Sequence, residues 1–230
     1  MSVGVASLLI DGAFVVSDGL SRWHDEDICG FPSRGQRAHT LAPEVCGIAM
    51  GCEEVADRLV AELQGYDARG LSLRDFRDVV GGIGEGVFRG WVEERGAAIS
   101  ADDPDVCLAL LAGGFLGAPF ALCFQWSVDC ETGEVVTEDP LLSMEPRSLF
   151  VLVVNPVSRL LIQTAVQDAS PKAPAWEPGG PVNQHIEHLI EAASVGIEDA
   201  AKRDSAIGGL ISWGVARHGF HAIARAGVIP

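Results

Sequence analysis

The chain has no apolar run near eighteen residues, so no transmembrane helix is expected. Its first residues lack the basic start and long apolar stretch of a signal peptide. Six cysteines, at positions 29, 46, 52, 107, 123 and 130, form no CxxC pair, which argues against a zinc site. Most lie in apolar surroundings and read as reduced, buried thiols of a cytoplasmic protein. Positive charge is scarce: 16 Lys and Arg stand against 32 Asp and Glu, a formal net charge of −16. No basic block is present to neutralise phosphates, so neither nucleic acid nor an anionic membrane is an expected partner. The glycines at 81, 82, 84 and 86 lack the lysine that a phosphate loop needs. The acidic run His24-Asp25-Glu26-Asp27 lacks the spacing of a calcium loop and reads as a solvated segment. His185, His188 and Glu191 share a helix face, but a solvated face explains them, and so no metal or other cofactor is expected.

What is present is a globular composition. Hydrophobic residues make up 48% and charged residues 21%, and 230 residues suffice for one large core, read as a single domain over 1–230. Val3 to Ile10 and Ala13 to Val16 are two apolar runs joined by Asp11-Gly12, the pattern of a β-hairpin with a tight turn. That hairpin would place Ser2 beside Asp18, a hydroxyl next to the chain's own amine with a carboxylate nearby. Residues 19–40 read as irregular. A strand is expected from Glu44 to Met50, and then a helix in which Val55, Leu59, Val60 and Leu63 share a face. A second helix is expected from Ser72 and resumes through Trp91, with glycines that either allow close helix packing or break it in two. Strands follow at 106–112 and 118–126, and two more apolar β-rich runs at 148–166, broken at Asn155-Pro156. Residues 168–181 read as a Pro-rich loop whose Trp176 either lines a groove or interface or simply packs. An amphipathic helix over 182–203 and two final strands, joined at His218-Gly219, complete the chain. Strands in hairpin pairs and helices in blocks exclude a doubly wound parallel sheet. They imply an α+β fold with two antiparallel sheets face to face and helices outside.

Several segments in this order carry a family likeness. They are Val3-Gly4-Val5 with Asp11-Gly12-Ala13-Phe14-Val15-Val16-Ser17-Asp18; Ile48-Ala49-Met50-Gly51 with Val55-Ala56-Asp57; Leu110-Leu111-Ala112-Gly113-Gly114 with Pro119 and Gly133; and the run from Ala200 to Gly209. Together they resemble the proteasome β-type subunit of the N-terminal-nucleophile hydrolase superfamily. The resemblance implies a four-layer αββα sandwich in which the first residue of the mature chain is the nucleophile and its α-amine the base. Ser2 falls there once Met1 is removed, Asp18 lies sixteen residues beyond it as in the family, and Asp204 matches the supporting aspartate after the long helix. An α-amine titrates near 7.7–8.0, suited to this role at neutral pH.

The chain departs from the family pattern at three points. The family carries a lysine just before its third strand, and none occurs between Gly19 and Gly51. Counting back from Gly51 puts Arg37 in that slot, whereas counting forward from Ser2 gives Arg34. Arginine there keeps a positive field but exchanges no proton. No Gly-Ser-Gly segment is evident in 165–181, and Ile207 stands where the family usually has a serine. The resemblance thus implies a peptide or small-amide hydrolase using Ser2, Asp18, Arg37 and Asp204, assembled as a homo-oligomeric ring. A separate ATP-driven unfoldase is an optional further partner. The departures leave open a catalytically inactive scaffold or oligomeric binding protein of the same fold.

Overall fold

Side chains alternate across the strands, and this alternation separates three apolar layers. The computed structural model describes residues 3–21, 33–34, 37–51, 53–67, 69–95, 107–129, 131–138, 140–153, 155–205 and 207–227, with only the backbone of 20–21 and 33–34. The strands are β1 (Gly4–Leu8), β2 (Gly12–Ser17), β3 (Leu20–Ser21), β4 (Ser33–Arg34), β5 (Ala38–Ala42) and β6 (Val45–Gly51). Helices α1 (Glu53–Gly65) and α2 (Leu73–Arg95) follow. Next come β7 (Cys107–Phe115), β8 (Pro119–Val128), β9 (Val135–Thr137), β10 (Leu141–Ser143) and β11 (Leu149–Leu152). The chain continues through α3 (Pro156–Ala169), α4 (Gln184–Ala201), β12 (Ser212–Arg217) and β13 (Ile223–Ala226).

One antiparallel sheet has the order β11-β1-β2-β12-β13, and the other β10-β8-β7-β6-β5 with β9 also on β8; β3 and β4 form a small ribbon. On β7, Leu108, Leu110 and Ala112 face α1 and α2, while Ala109 and Leu111 face the other sheet. On β2, Phe14 and Val16 face α3 and α4, while Val15 faces inward. β2 and β7 therefore bury both faces, which is why these two runs are apolar throughout. The result is α+β, a four-layer αββα sandwich of two antiparallel sheets. Cys46 and Cys123 lie buried in the middle layer as free thiols, which burial pushes up to about 12 and about 11.

Three local expectations are corrected, and one left open, at the glycines of α2, is decided. The hairpin turns at Ile10-Asp11, closed by Leu9 N–H donating to the Gly12 carbonyl at 2.8 Å, and not at Asp11-Gly12. Gly12 belongs to β2, where a Cβ would lie 2.1 Å from the Ala216 carbonyl, so glycine there admits the β12 backbone. Second, β5 emerges from the end of the stretch read as irregular, paired to β6 with Ala38 opposite Ile48. Third, α2 is one continuous helix through its glycines. Gly84 lies under Trp126, where a Cβ would meet ring carbon Cζ2 at 2.1 Å, so the glycine serves packing and does not break the helix. Fourth, the second of the two runs at 148–166 is helix α3. Asn155 caps it, with Oδ1 accepting from Val157 N–H at 2.9 Å, and Pro156 opens its first turn.

Candidate active site

Antiparallel pairing places the start of β1, the ends of β2 and β6 and the starts of β5 and β12 at one end of the sandwich. Gly4 and Ser212 both lie opposite Ser17 across β2, so Asp18, one residue beyond β2, meets the start of the chain and the approach to β12. Asp18 is 0% exposed. Its Oδ1 accepts from Val3 N–H at 2.7 Å, and its Oδ2 accepts from Gly208 N–H at 3.1 Å. The Ser17 hydroxyl lies 2.7 Å from the Val3 carbonyl and 2.9 Å from the Asp18 carbonyl, and donates to them. Val3 is therefore held at both its amide nitrogen and its carbonyl oxygen. Ser2 lies outside the described residues.

Ser212 joins the two sheets here. Its buried Oγ accepts the backbone N–H groups of Arg37 and Ala38, each at 3.1 Å. This fixes the start of β5 over the end of β2 and puts the buried Arg37 within electrostatic reach of Asp18. Burial raises the Asp18 carboxyl from its ordinary 3.8 to about 6, and the Val3 and Gly208 N–H groups and the Arg37 charge only partly oppose it. Desolvation wins because three favourable contacts do not replace a full hydration shell.

Asp204 follows α4. Its Oδ2 accepts from the Ser158 hydroxyl at 3.5 Å, which links the turn after α4 to the first turn of α3. Its own carbonyl accepts from Ile207 N–H at 3.0 Å, one residue before the Gly208 that grips Asp18. Ile207 is buried in the core beneath α3 and α4 as an apolar anchor.

Of the residues expected at the site, Asp18 and Arg37 come together, and Asp204 joins them through its bond to Ile207, next to Gly208. The Arg34 side chain lies outside the described residues. Sequence reasoning gives no role to Ser17, Ser212 or Ser158. Ser158 is legible in principle, because Asn155-Pro156 is the signature of a helix start rather than a strand break. Ser17 and Ser212 carry no local signal, since their roles depend on strand register between segments nearly two hundred residues apart. Among the described residues no three His, Cys, Asp or Glu side chains gather as a metal site, and no helix is long and apolar enough to cross a membrane.

No protein-family model matches the chain, and no curated protein matches it. Solved structures do. The chain is similar to Anbu (ancestral beta-subunit) from Yersinia bercovieri, at 12% identity and a TM-score of 0.59, covering 99% of this chain and 88% of that one. It is likewise similar to the Anbu complex from Pseudomonas aeruginosa, described as a helical assembly, at 13% identity and a TM-score of 0.61, covering 98% and 86%. At these identities the likeness concerns the fold, and the fold that this chain shares with both is the proteasome-like αββα sandwich.

Proposed function

We propose that the chain is a proteasome-like N-terminal-nucleophile hydrolase of peptides or small amides, with Ser2 as nucleophile after removal of Met1. The observation that carries this reading is the grip on Val3, whose N–H and carbonyl are bound by Asp18 and Ser17 at 2.7 Å each. A residue immediately before Val3 would be aimed by that grip, which is what an N-terminal nucleophile requires. In this mechanism the freed α-amine takes the Ser2 hydroxyl proton as the oxygen attacks the substrate carbonyl. The same amine then returns the proton to the leaving amine, and a water molecule deprotonated by that amine cleaves the acyl-serine, releasing the carboxylic acid and restoring the Ser2 hydroxyl. Asp18 orients the start of the chain, and Arg37 supplies a permanent positive charge that favours the free form of the amine. Asp204 with Ser158 steadies the turn that carries Gly208. An extended peptide would bind as an added strand by main-chain hydrogen bonds. A homo-oligomer, in a ring or a helical array, belongs to the same proposal, as does a separate unfoldase.

A second reading is a catalytically inactive scaffold of the same fold. It is favoured by Arg37, which exchanges no proton, and by the buried Ile207 where the family usually has a serine. Turnover of fluorogenic peptide amides by the purified chain separates the two. The hydrolase reading expects release of the reporter that disappears in Ser2→Ala. No turnover by the Met1-free chain across a diverse peptide panel, with ordered oligomers by light scattering, would favour the scaffold.

A further inference from the structure

At the end of the sandwich opposite Asp18, a cleft of about 710 Å³ opens between the β1–β2 turn, the segment before β11, the end of α3 and the start of α4. Val3 and Leu9 are six residues apart along the β1 direction, so the cleft lies roughly 20 Å from the candidate active site. Its volume is within the range of small-molecule sites, about 300–1,000 Å³. The floor is apolar and buried, made of Leu8, Leu9, Val166 and Leu189. Ile10 stands at the rim, 65% exposed.

One wall is the Pro-rich loop carrying Pro171, Pro174 and Trp176, and it is held rigidly. Arg217 is almost wholly buried behind it, pairs with both carboxylate oxygens of Asp11 at 2.8–3.2 Å, and donates to the Gly180 carbonyl at 2.5 Å. The same guanidinium lies 4.6 Å from the centre of the Trp176 ring. His185 packs edge-on against Trp176 at 5.4 Å, and its Nδ1 donates to the Pro174 carbonyl at 2.8 Å. Burying a guanidinium is costly, and here its contacts fasten this loop to the β1–β2 turn. The wall is thus formed in advance of any ligand.

The charge of the lining is unlike that of the chain. Among the described residues no Asp or Glu lines the cleft, although the chain has 32. Arg147 does line it, as an exposed residue at its edge whose guanidinium has no hydrogen bond or ion pair among the described residues and so is open to a ligand anion. Its backbone is held in the left-handed region, φ 69°, with its N–H donating to the Leu8 carbonyl at 3.3 Å. A non-glycine residue is kept in that conformation only by its surroundings.

We propose that this cleft binds a small amphipathic carboxylic acid, its apolar body on the Leu8, Leu9 and Trp176 surfaces and its carboxylate paired with Arg147. The site is independent of the hydrolase reading and needs neither Ser2 nor Asp18. Calorimetric titration of the full chain with decanoate, and with decanol as the uncharged counterpart, tests it. Expected are saturable 1:1 binding of decanoate, at least tenfold weaker binding of decanol, and at least a tenfold loss in Arg147→Gln. Gln167→Trp, at the exposed mouth, fills the cleft and abolishes binding, while thermal melts verify that both variants are folded. Absence of saturable decanoate binding overturns the proposal. So does equal affinity for decanol, or undiminished binding in Arg147→Gln or Gln167→Trp.

Discussion

Replacing Asp18 with asparagine should change how stability depends on pH, in a direction opposite to that of a typical paired carboxylate. In the folded chain the Asp18 carboxyl is raised from 3.8 to about 6. Each tenfold step in proton affinity corresponds to 1.36 kcal/mol, so this difference amounts to about 3 kcal/mol. The folded state holds the proton more tightly than the unfolded state. The contribution is therefore fully present below pH 3.8, and it is lost as pH rises toward 6. The asparagine variant has no such proton, yet its amide oxygen can still accept from Val3 N–H. Urea unfolding of both proteins at intervals from pH 3.5 to 8 gives their stability difference, in which other groups largely cancel. The stability of the wild type relative to Asp18→Asn should fall by about 3 kcal/mol between pH 3.5 and 7 and then level off. If it rises with pH instead, the Arg37 charge outweighs desolvation and the site is an ordinary ion pair. A difference independent of pH would refute the burial argument as well.

Other outcomes follow from the packing. Ser212→Ala removes the acceptor shared by two buried N–H groups and should destabilise by about 2 kcal/mol in denaturant melts; a loss below about 0.5 kcal/mol would contradict the inter-sheet role. Gly84→Ala drives a Cβ into the Trp126 ring, itself stacked on Phe124 at 5.3 Å, and should cost about 1–3 kcal/mol. Gly86→Ala, on the same helix with nothing within 4 Å, should instead stabilise by about 1 kcal/mol. Arg217→Met should lose about 3 kcal/mol by leaving Asp11 without its bidentate partner. Proteolysis should then cut first within 173–183, because the Gly180 contact goes with it.

What can be read from the sequence depends on how local each signal is. The opening hairpin and the long amphipathic helix are set by spacing within a dozen residues, so both are legible, apart from the one-residue shift of the turn. Gly12 misleads because its need for glycine comes from β12, some two hundred residues away. β5 escapes notice because five residues containing His39 and Thr40, half-buried near a sheet edge, show no clean alternation. Helix α3 reads as strand because Val157, Leu160, Leu161 and Ile162 form a β-rich apolar run, and helix and strand cannot be told apart by such a run alone. At the candidate site, Asp18 is singled out by the spacing of the family that the chain resembles, which leaves Arg34 and Arg37 as alternatives, and the structure puts Arg37 within electrostatic reach of Asp18. The serines that position them are not legible, because only strand register brings Ser17, Ser212 and the chain's start together.

Everything in the proposed chemistry depends on Ser2 being the first residue of the mature chain and its nucleophile. Intact-mass measurement of the purified protein before and after treatment with an electrophile selective for N-terminal nucleophiles, followed by peptide mapping, tests this most directly. The expected result is a chain lacking Met1 that gains one adduct, mapped to Ser2 and absent in Ser2→Ala. A natively folded chain that keeps Met1, or one that lacks it and gains no adduct at Ser2, would contradict it.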